Sequence, residues 1–285
     1  MYNLFGDDMF SVEYKNGNAY VLCPDGLDLP HTLDCGQAFR WAPDENDRWS
    51  GSAYGKYLEL SKEPDGTLVL YDTSEDDFES VWKYYFDLDR DYTAVDSILC
   101  EDATLKKAAE FSGGIRILNQ EPWETLCSFI ISQNNNIKRI KGIISRLCES
   151  FGDNMGGWYS FPSPDRLAVL SEEDLAPLRS GFRAKYILDA ARKVSSGQID
   201  LERLKTVASD EARDALMQIK GVGPKVADCV SLFSLCHIDA FPKDVWIKRA
   251  MQVLFNGELP ECAKPYAGIA QQYIFFYVRE TKLKI

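Results

Sequence analysis

The chain reads as α+β: a β-rich N-terminal part over residues 1–112 precedes an α-helical part over residues 113–285. Three observations predict this. Short apolar runs broken by turn residues recur as far as Tyr71. From about residue 95 the apolar spacing lengthens to the helical period. Further on, Ile219-Lys220-Gly221-Val222-Gly223-Pro224-Lys225 places a tight turn between two helical stretches.

The elements follow in order. Strands are expected at residues 20–22, 38–41, 49–54, 57–60 and 68–71, with Pro64-Asp65-Gly66-Thr67 turning before the last. An antiparallel sheet accommodates this spacing. The acidic stretch from Asp72 to Asp91 fits a solvated helix that turns Phe78, Val81, Trp82 and Tyr85 inward. Beyond it, Trp123, Leu126, Cys127, Ile130 and Ile131 form one helical stripe. A second comprises Ile137, Ile140, Ile144, Leu147 and Phe151. After a loop with Gly152, Gly156, Gly157, Pro162 and Pro164, helices are expected at 172–180, 184–195, 210–219, 224–235, 245–255 and 266–279.

Composition narrows the function classes. The 285 residues suffice for two domains, and 45% hydrophobic with 27% charged residues is ordinary for a globular protein. Residues Met1 to Asp8 lack a basic segment followed by an apolar run, and no apolar stretch approaches a membrane span. An intracellular protein is expected, with no membrane partner. Eight cysteines show no disulfide-framework spacing. Cys229 and Cys236 echo the start of an iron–sulfur loop, but Asp239 stands where the next ligand would be needed. No iron–sulfur cluster is expected. With only His31 and His237 available, neither is a zinc site.

The net charge of −12 is unevenly placed. Residues 1–110 carry 24 acidic and 9 basic side chains, net −15, whereas residues 111–285 carry 20 and 23, net +3. Affinity for nucleic acid depends on local basic surface, so the second half is compatible with DNA binding.

The turn carries the chemistry. Gly221 and Gly223 let the backbone bend sharply and approach a partner closely. Pro224 suits the first helical position, and the unpaired N–H groups and positive dipole of the new helix face the same way. Lys225 sits in that first turn, where the positive pole favours a neutral amine and a surface cation gains nothing. Downstream, Asp244 is placed to cap a helix beginning at Val245.

A turn of this kind, with a lysine two residues past it and a trailing aspartate, resembles the helix-hairpin-helix of DNA glycosylases. The match narrows at Cys35-Gly36-Gln37-Ala38-Phe39-Arg40-Trp41 and at Ser132-Gln133-Asn134-Asn135-Asn136-Ile137-Lys138-Arg139. It continues at Ser180-Gly181-Phe182-Arg183-Ala184-Lys185-Tyr186 and at Tyr266-Ala267-Gly268-Ile269-Ala270-Gln271. Together, in this order, they resemble the 8-oxoguanine DNA glycosylase/AP lyase family from about residue 25 to 280. The resemblance implies an α-helical helix-hairpin-helix glycosylase domain behind the β-rich one. It implies a monomer acting on double-stranded DNA that holds 8-oxoguanine opposite cytosine.

Roles follow from the same resemblance. Lys225 is the implied nucleophile at the sugar C1′, forming a Schiff base that permits β-elimination. Asp244 stabilises developing oxocarbenium charge, in addition to capping its helix. The Gly36 carbonyl accepts the N7–H that guanine lacks, Gln271 takes the pairing edge, and Phe275 and Cys229 sandwich the base beside Pro242. Asn134 fills the gap left by the extruded nucleotide, Arg139 and Arg183 read the opposite cytosine, and Phe182 is the wedge. Gly221, Gly223 and Trp246 face the phosphates. Several relatives carry histidine at the last position, and tryptophan can donate only through its indole N–H. The family needs no cofactor, although a monovalent or divalent cation at the hairpin carbonyls is compatible with it.

Bland readings stand beside these. Lys225 alone is a phosphate-binding lysine, Asp244 and the Asn134–Asn136 triplet are helix caps, Gly36 is a turn glycine, and Phe275 is core. Asp228 is given a structural role. The alternatives are a non-catalytic helix-hairpin-helix DNA-binding module and a glycosylase for alkylated purines.

Overall fold

The computed structural model describes residues 10–22 and 26–282, so the reading of Met1 to Asp8 lies outside it. Six antiparallel strands form one sheet in the order β1-β2-β6-β5-β4-β3. They are β1 (Ser11–Lys15), β2 (Asn18–Leu22), β3 (Trp41–Pro43), β4 (Trp49–Ala53), β5 (Lys56–Lys62) and β6 (Leu68–Leu70). β1 was not expected from sequence. Its residues Ser11, Glu13 and Lys15 are exposed and Val12 and Tyr14 only half-buried, so its alternation is weak, and the β2 edge supplies the order.

Between β2 and β3 runs the short helix α1 (Leu29–Leu33), capped by Asp28, whose carboxylate accepts the His31 N–H at 2.8 Å. The strand expected at 38–41 begins only at Trp41. Before it, residues 34–37 and 39–40 form bends, with Cys35 and Gln37 buried.

The acidic stretch is helical, with one irregularity. α2 (Glu75–Asp77) and α3 (Lys83–Tyr85) are joined by a π-helical turn, Phe78–Trp82. The wider turn does not disturb the inward face: Phe78, Val81, Trp82 and Tyr85 are all buried, and Tyr85 Oη accepts the Trp41 indole N–H at 2.7 Å.

The remaining helices are α4 (Tyr92–Leu99), α5 (Ala103–Phe111), α6 (Pro122–Ser132), α7 (Ile137–Phe151), α8 (Pro164–Ala168), α9 (Ala184–Ser195), α10 (Ser209–Leu216), α11 (Pro224–Ser234), α12 (Val245–Phe255) and α13 (Ala267–Thr281). The spans of α9 and α12 coincide with those expected, and α11 ends one residue early. The helix expected at 172–180 is absent. Only a 3-10 turn, Ala176–Leu178, forms there, because Pro177 offers no N–H for a longer ladder and Arg179 turns left-handed at φ 54°. Ser171 and Asp174 bond each other's backbone instead, at 2.9 and 3.3 Å.

Two hydrophobic cores result. The smaller lies under the sheet around Trp41, Leu60, Leu70, Trp82 and Phe86, and includes Leu118. The larger fills the helical region, and takes Cys35, Phe39 and the inner faces of α4 and α5 from the first half of the chain. Segment 35–40 therefore bridges the two, with Ala38 in the smaller core and Cys35 and Phe39 in the helical one. Arg40 anchors it there, pairing with Glu124 at 3.1 Å and donating to the Tyr159 carbonyl at 2.5 Å.

Candidate active site

The hairpin is built by α10, a turn and α11. At Gly221 φ is +81°, and an added Cβ would stand 2.4 Å from the Tyr186 ring on α9, so a side chain is excluded on both counts. Lys193 ties the approach to the turn, donating to Asp189 at 2.8 Å and to the Gln218 carbonyl at 2.6 Å. Asp189 in turn accepts the Lys220 N–H at 2.7 Å. Gly223 is different: nothing lies within 4 Å of its missing Cβ. It is the N-cap of α11, and the first N–H groups of that helix open beside it.

Lys225 follows in the first turn of α11, half-buried, with its ammonium 5.1 Å from the Phe129 ring centroid. Phe129 on α6 stacks on Phe233 of α11 at 5.5 Å and meets the edge of Phe39 at 5.7 Å. One helical turn beyond Lys225 is Cys229. Burial pushes its thiol up, while the Lys225 ammonium, charged and hydrogen-bonding, acts in the opposite sense.

Asp244 caps α12, accepting the Ile247 N–H at 2.7 Å through one carboxylate oxygen. Both Lys225 and Asp244 line a cleft of about 940 Å³, together with Gly36, Asn134, Trp246 and Phe275. Deeper, a crevice of about 50 Å³ is walled by Gly36, Lys225, Cys229, Pro242, Asp244, Gln271 and Phe275. Three segments far apart in sequence thus meet at one point. Gly36 has φ +92°, a conformation only glycine adopts without strain, and Gln271 is 5% exposed with no hydrogen-bond partner on its Oε1.

Of the outer residues, Asn134 and Trp246 border the cleft. Asn134 is exposed at φ +47°, a left-handed conformation that asparagine tolerates, while Asn136 caps α7 by accepting the Arg139 N–H at 2.9 Å. Arg139 is exposed. Phe182 is 45% exposed, 5.8 Å edge-on from Tyr186, and Trp246 is 49% exposed.

Arg183 behaves differently from Arg139. It is 3% exposed, and its guanidinium donates to the carbonyls of Gln133, Asn134 and Ser180. In this conformation it holds up the asparagine loop from beneath. Burial, then the nearby Arg139 charge, lowers its pKa from the ordinary arginine value. Asp228, given a structural role from sequence, is buried, pairs with Arg213 Nε at 2.6 Å and also lines the cleft.

Sequence reasoning gave no site role to Phe129, whose ring lies under the Lys225 ammonium, or to Phe39, which packs edge-on against it. Phe129 sits outside the stripe of α6 that periodicity selects. It also gave no role to Gln37, whose long-range partners lie 79 to 83 residues away, or to Gln272, whose partner Cys35 is 237 residues away.

Among the described residues, no group of three or more histidine, cysteine or acidic side chains is placed to hold a metal ion, and every described cysteine is a free thiol. None of the described helices is long and apolar enough to cross a membrane.

Known proteins resemble this chain along both of its parts. Residues 20–126 match the family described as 8-oxoguanine DNA glycosylase, N-terminal domain. Residues 127–261 match the HhH-GPD superfamily of base excision DNA repair proteins. The chain is 34% identical to the N-glycosylase/DNA lyase of Saccharomyces cerevisiae, over 84% of this chain and 70% of that protein. Identity to the N-glycosylase/DNA lyase of Arabidopsis thaliana is 32%, over 88% and 73%. In structure it resembles the 8-oxoguanine glycosylase/lyase of Clostridium acetobutylicum bound to double-stranded DNA with cytosine opposite 8-oxoguanine. The TM-score is 0.89 at 38% identity, covering 97% of this chain and all of that one.

Proposed function

The chain belongs to the 8-oxoguanine DNA glycosylase family, and we propose that it excises 8-oxoguanine opposite cytosine and then cleaves the strand, with Lys225 as nucleophile. The observation that carries this reading is the crevice, whose lining brings Lys225 and Asp244 together with every residue expected to hold the base.

The damaged nucleotide leaves the stack, since C1′ is out of reach inside a duplex. As the glycosidic bond breaks, positive charge develops on the sugar, and the Asp244 carboxylate, fixed by its cap bond, stabilises it. The Lys225 nitrogen forms a bond to C1′ and loses its proton, and the base departs with the electrons of the broken bond. Ring opening gives the Schiff base, and β-elimination at C2′ expels the 3′ phosphate.

Base selection rests on the deeper wall. The Gly36 carbonyl accepts the lesion's N7–H, and the unpartnered Gln271 Oε1 receives a donor from the pairing edge. Cys229 and Phe275 hold the two faces beside Pro242. Outside the crevice, Asn134 fills the vacated position, Arg139 and Arg183 serve the opposite cytosine, and Phe182 wedges the neighbouring step. Gly221, Gly223 and Trp246 meet the backbone.

No cofactor is required by these steps. A structural cation fits the hairpin: the Gln218 and Ile219 carbonyls accept from Lys193 and the Val222 N–H, whereas no such bond reaches Lys220, Gly221 or Val222 oxygen among the described residues. It would steady the turn against phosphate. The protein works as a monomer wherever duplex DNA is kept, in the cytoplasm of a bacterium or the nucleus of a eukaryote.

Borohydride trapping on a duplex with one 8-oxoguanine opposite cytosine tests the reading. The wild type yields a covalent adduct and Lys225→Gln yields none. Base release without an adduct would make Lys225 a DNA contact, and neither product would leave a binding module.

A further inference from the structure

Both neighbours of Gly36 are completely buried, at 0% exposure. The Gln37 amide is fully committed. Its Nε2 donates to the carbonyls of Thr32 and Arg116, each at 2.8 Å, and its Oε1 accepts the Leu118 N–H at 3.0 Å. Its main-chain carbonyl accepts Gln120 Nε2 at 2.8 Å. On the other side, Cys35 Sγ lies 2.8 Å from Gln272 Nε2, next to Gln271 on α13. Gly36 is suspended between these two anchors, facing Phe275.

A backbone carbonyl has a direction only as far as the peptide planes around it are fixed. At Gly36, where no side chain restrains the backbone, that restraint must come from its neighbours. We propose that Gln37 is a positioning residue that aims the Gly36 carbonyl at the base, and so sets the preference for a lesion bearing N7–H. The inference rests on the reading of Gly36 given above.

The chemistry selects glutamine. Its planar amide supplies two donors and an acceptor at the end of a three-atom reach, matching two carbonyls and one N–H. Glutamate would set a buried carboxylate against two carbonyl oxygens. Methionine has the length and none of the bonds.

The test compares wild type, Gln37→Met and Gln120→Met in single turnover on two duplexes. One holds 8-oxoguanine opposite cytosine. The other holds a preformed abasic site, whose cleavage needs Lys225 and has no base to present to Gly36. Gln37→Met is expected to release 8-oxoguanine about 100-fold more slowly, as for a misplacement of around 1 Å, while abasic cleavage stays within about twofold. Gln120→Met, which removes only the bond to the Gln37 carbonyl, should show the same split at about tenfold. Should Gln37→Met not fold, the Gln120→Met ratio decides.

Equal losses on both duplexes would mean a merely structural glutamine, and unchanged release in both folded variants would likewise overturn the proposal. A wild type that cleaves abasic DNA but releases no 8-oxoguanine would overturn the Gly36 reading itself, and this inference with it.

Discussion

Gly221 packs so tightly on Tyr186 that an added Cβ would lie 2.4 Å from the ring carbons. The α9 helix thereby fixes the hairpin turn, and Gly223, two residues on, is unobstructed. Gly221→Ala should therefore cost about 1–3 kcal/mol through overpacking and left-handed strain. Gly223→Ala should remain within about 0.5 kcal/mol of wild type yet bind duplex DNA more weakly, because its methyl stands where a phosphate approaches. Denaturant midpoints and duplex titrations separate the two effects. Equal stability losses would refute the distinction.

Asp244→Asn separates cap from charge. Asparagine caps a helix about as well as aspartate, so stability should hold within about 0.5 kcal/mol. Base release should slow by about 10²–10³-fold, the usual cost of removing one electrostatic stabiliser of the transition state. Single-turnover excision beside a thermal melt is the measurement, and retained excision would reduce Asp244 to a cap.

The two arginines assigned to the opposite base should respond differently. Arg139→Ala removes an exposed side chain, so discrimination between cytosine and other opposite bases should relax without loss of stability. Arg183→Ala removes the guanidinium donors from the carbonyls of Gln133, Asn134 and Ser180, costing about 1–3 kcal/mol as well. Excision opposite each of the four bases, set against urea midpoints, decides. A stability loss in Arg139→Ala would contradict the assignment.

Glu121 gives a pH signature away from the site. Burial pushes its carboxyl up to about 7, against the pull of the Glu124 and Trp123 N–H groups it accepts. The folded chain therefore holds this proton to higher pH than the unfolded chain. The stability it contributes is complete below about pH 4.5 and declines as pH rises through 7, by about 3 kcal/mol. Glu121→Gln should flatten that slope. Urea midpoints at pH 5 and pH 8 test it, and parallel slopes in both proteins would sink the assignment.

Local rules made much of this molecule legible. Asp244 was readable as a cap because a capping aspartate needs only the helix that follows it, and α9 and α12 were bounded by their own residues. Residues 172–180 failed for a local reason too, since the apolar spacing there outweighed Pro177. The deeper site was not readable this way. Gln37 is defined by partners 79 and 81 residues away. The family motif brought Arg183 into the site, but its partners lie 49 and 50 residues away, and only folding shows that it supports the asparagine loop from below. Phe129 has no polar atom to advertise it, and matters only because α11 sets Lys225 above its ring.

The crevice between Gly36 and Phe275, at about 50 Å³, has room for a few waters and not for a fused bicyclic base. On the proposed base-binding role, admission requires Phe275, half-buried and nearest Gly36, to move away from this crevice, which opens on the wider cleft that both residues also line. With Gly36 in the role proposed above, an ordinary guanine would raise the same threshold as the lesion and find no complementary contact at the Gly36 carbonyl to offset it. Rejection of normal DNA is in this way spread over two events, an opening that disfavours every base alike and a closing that only one can complete.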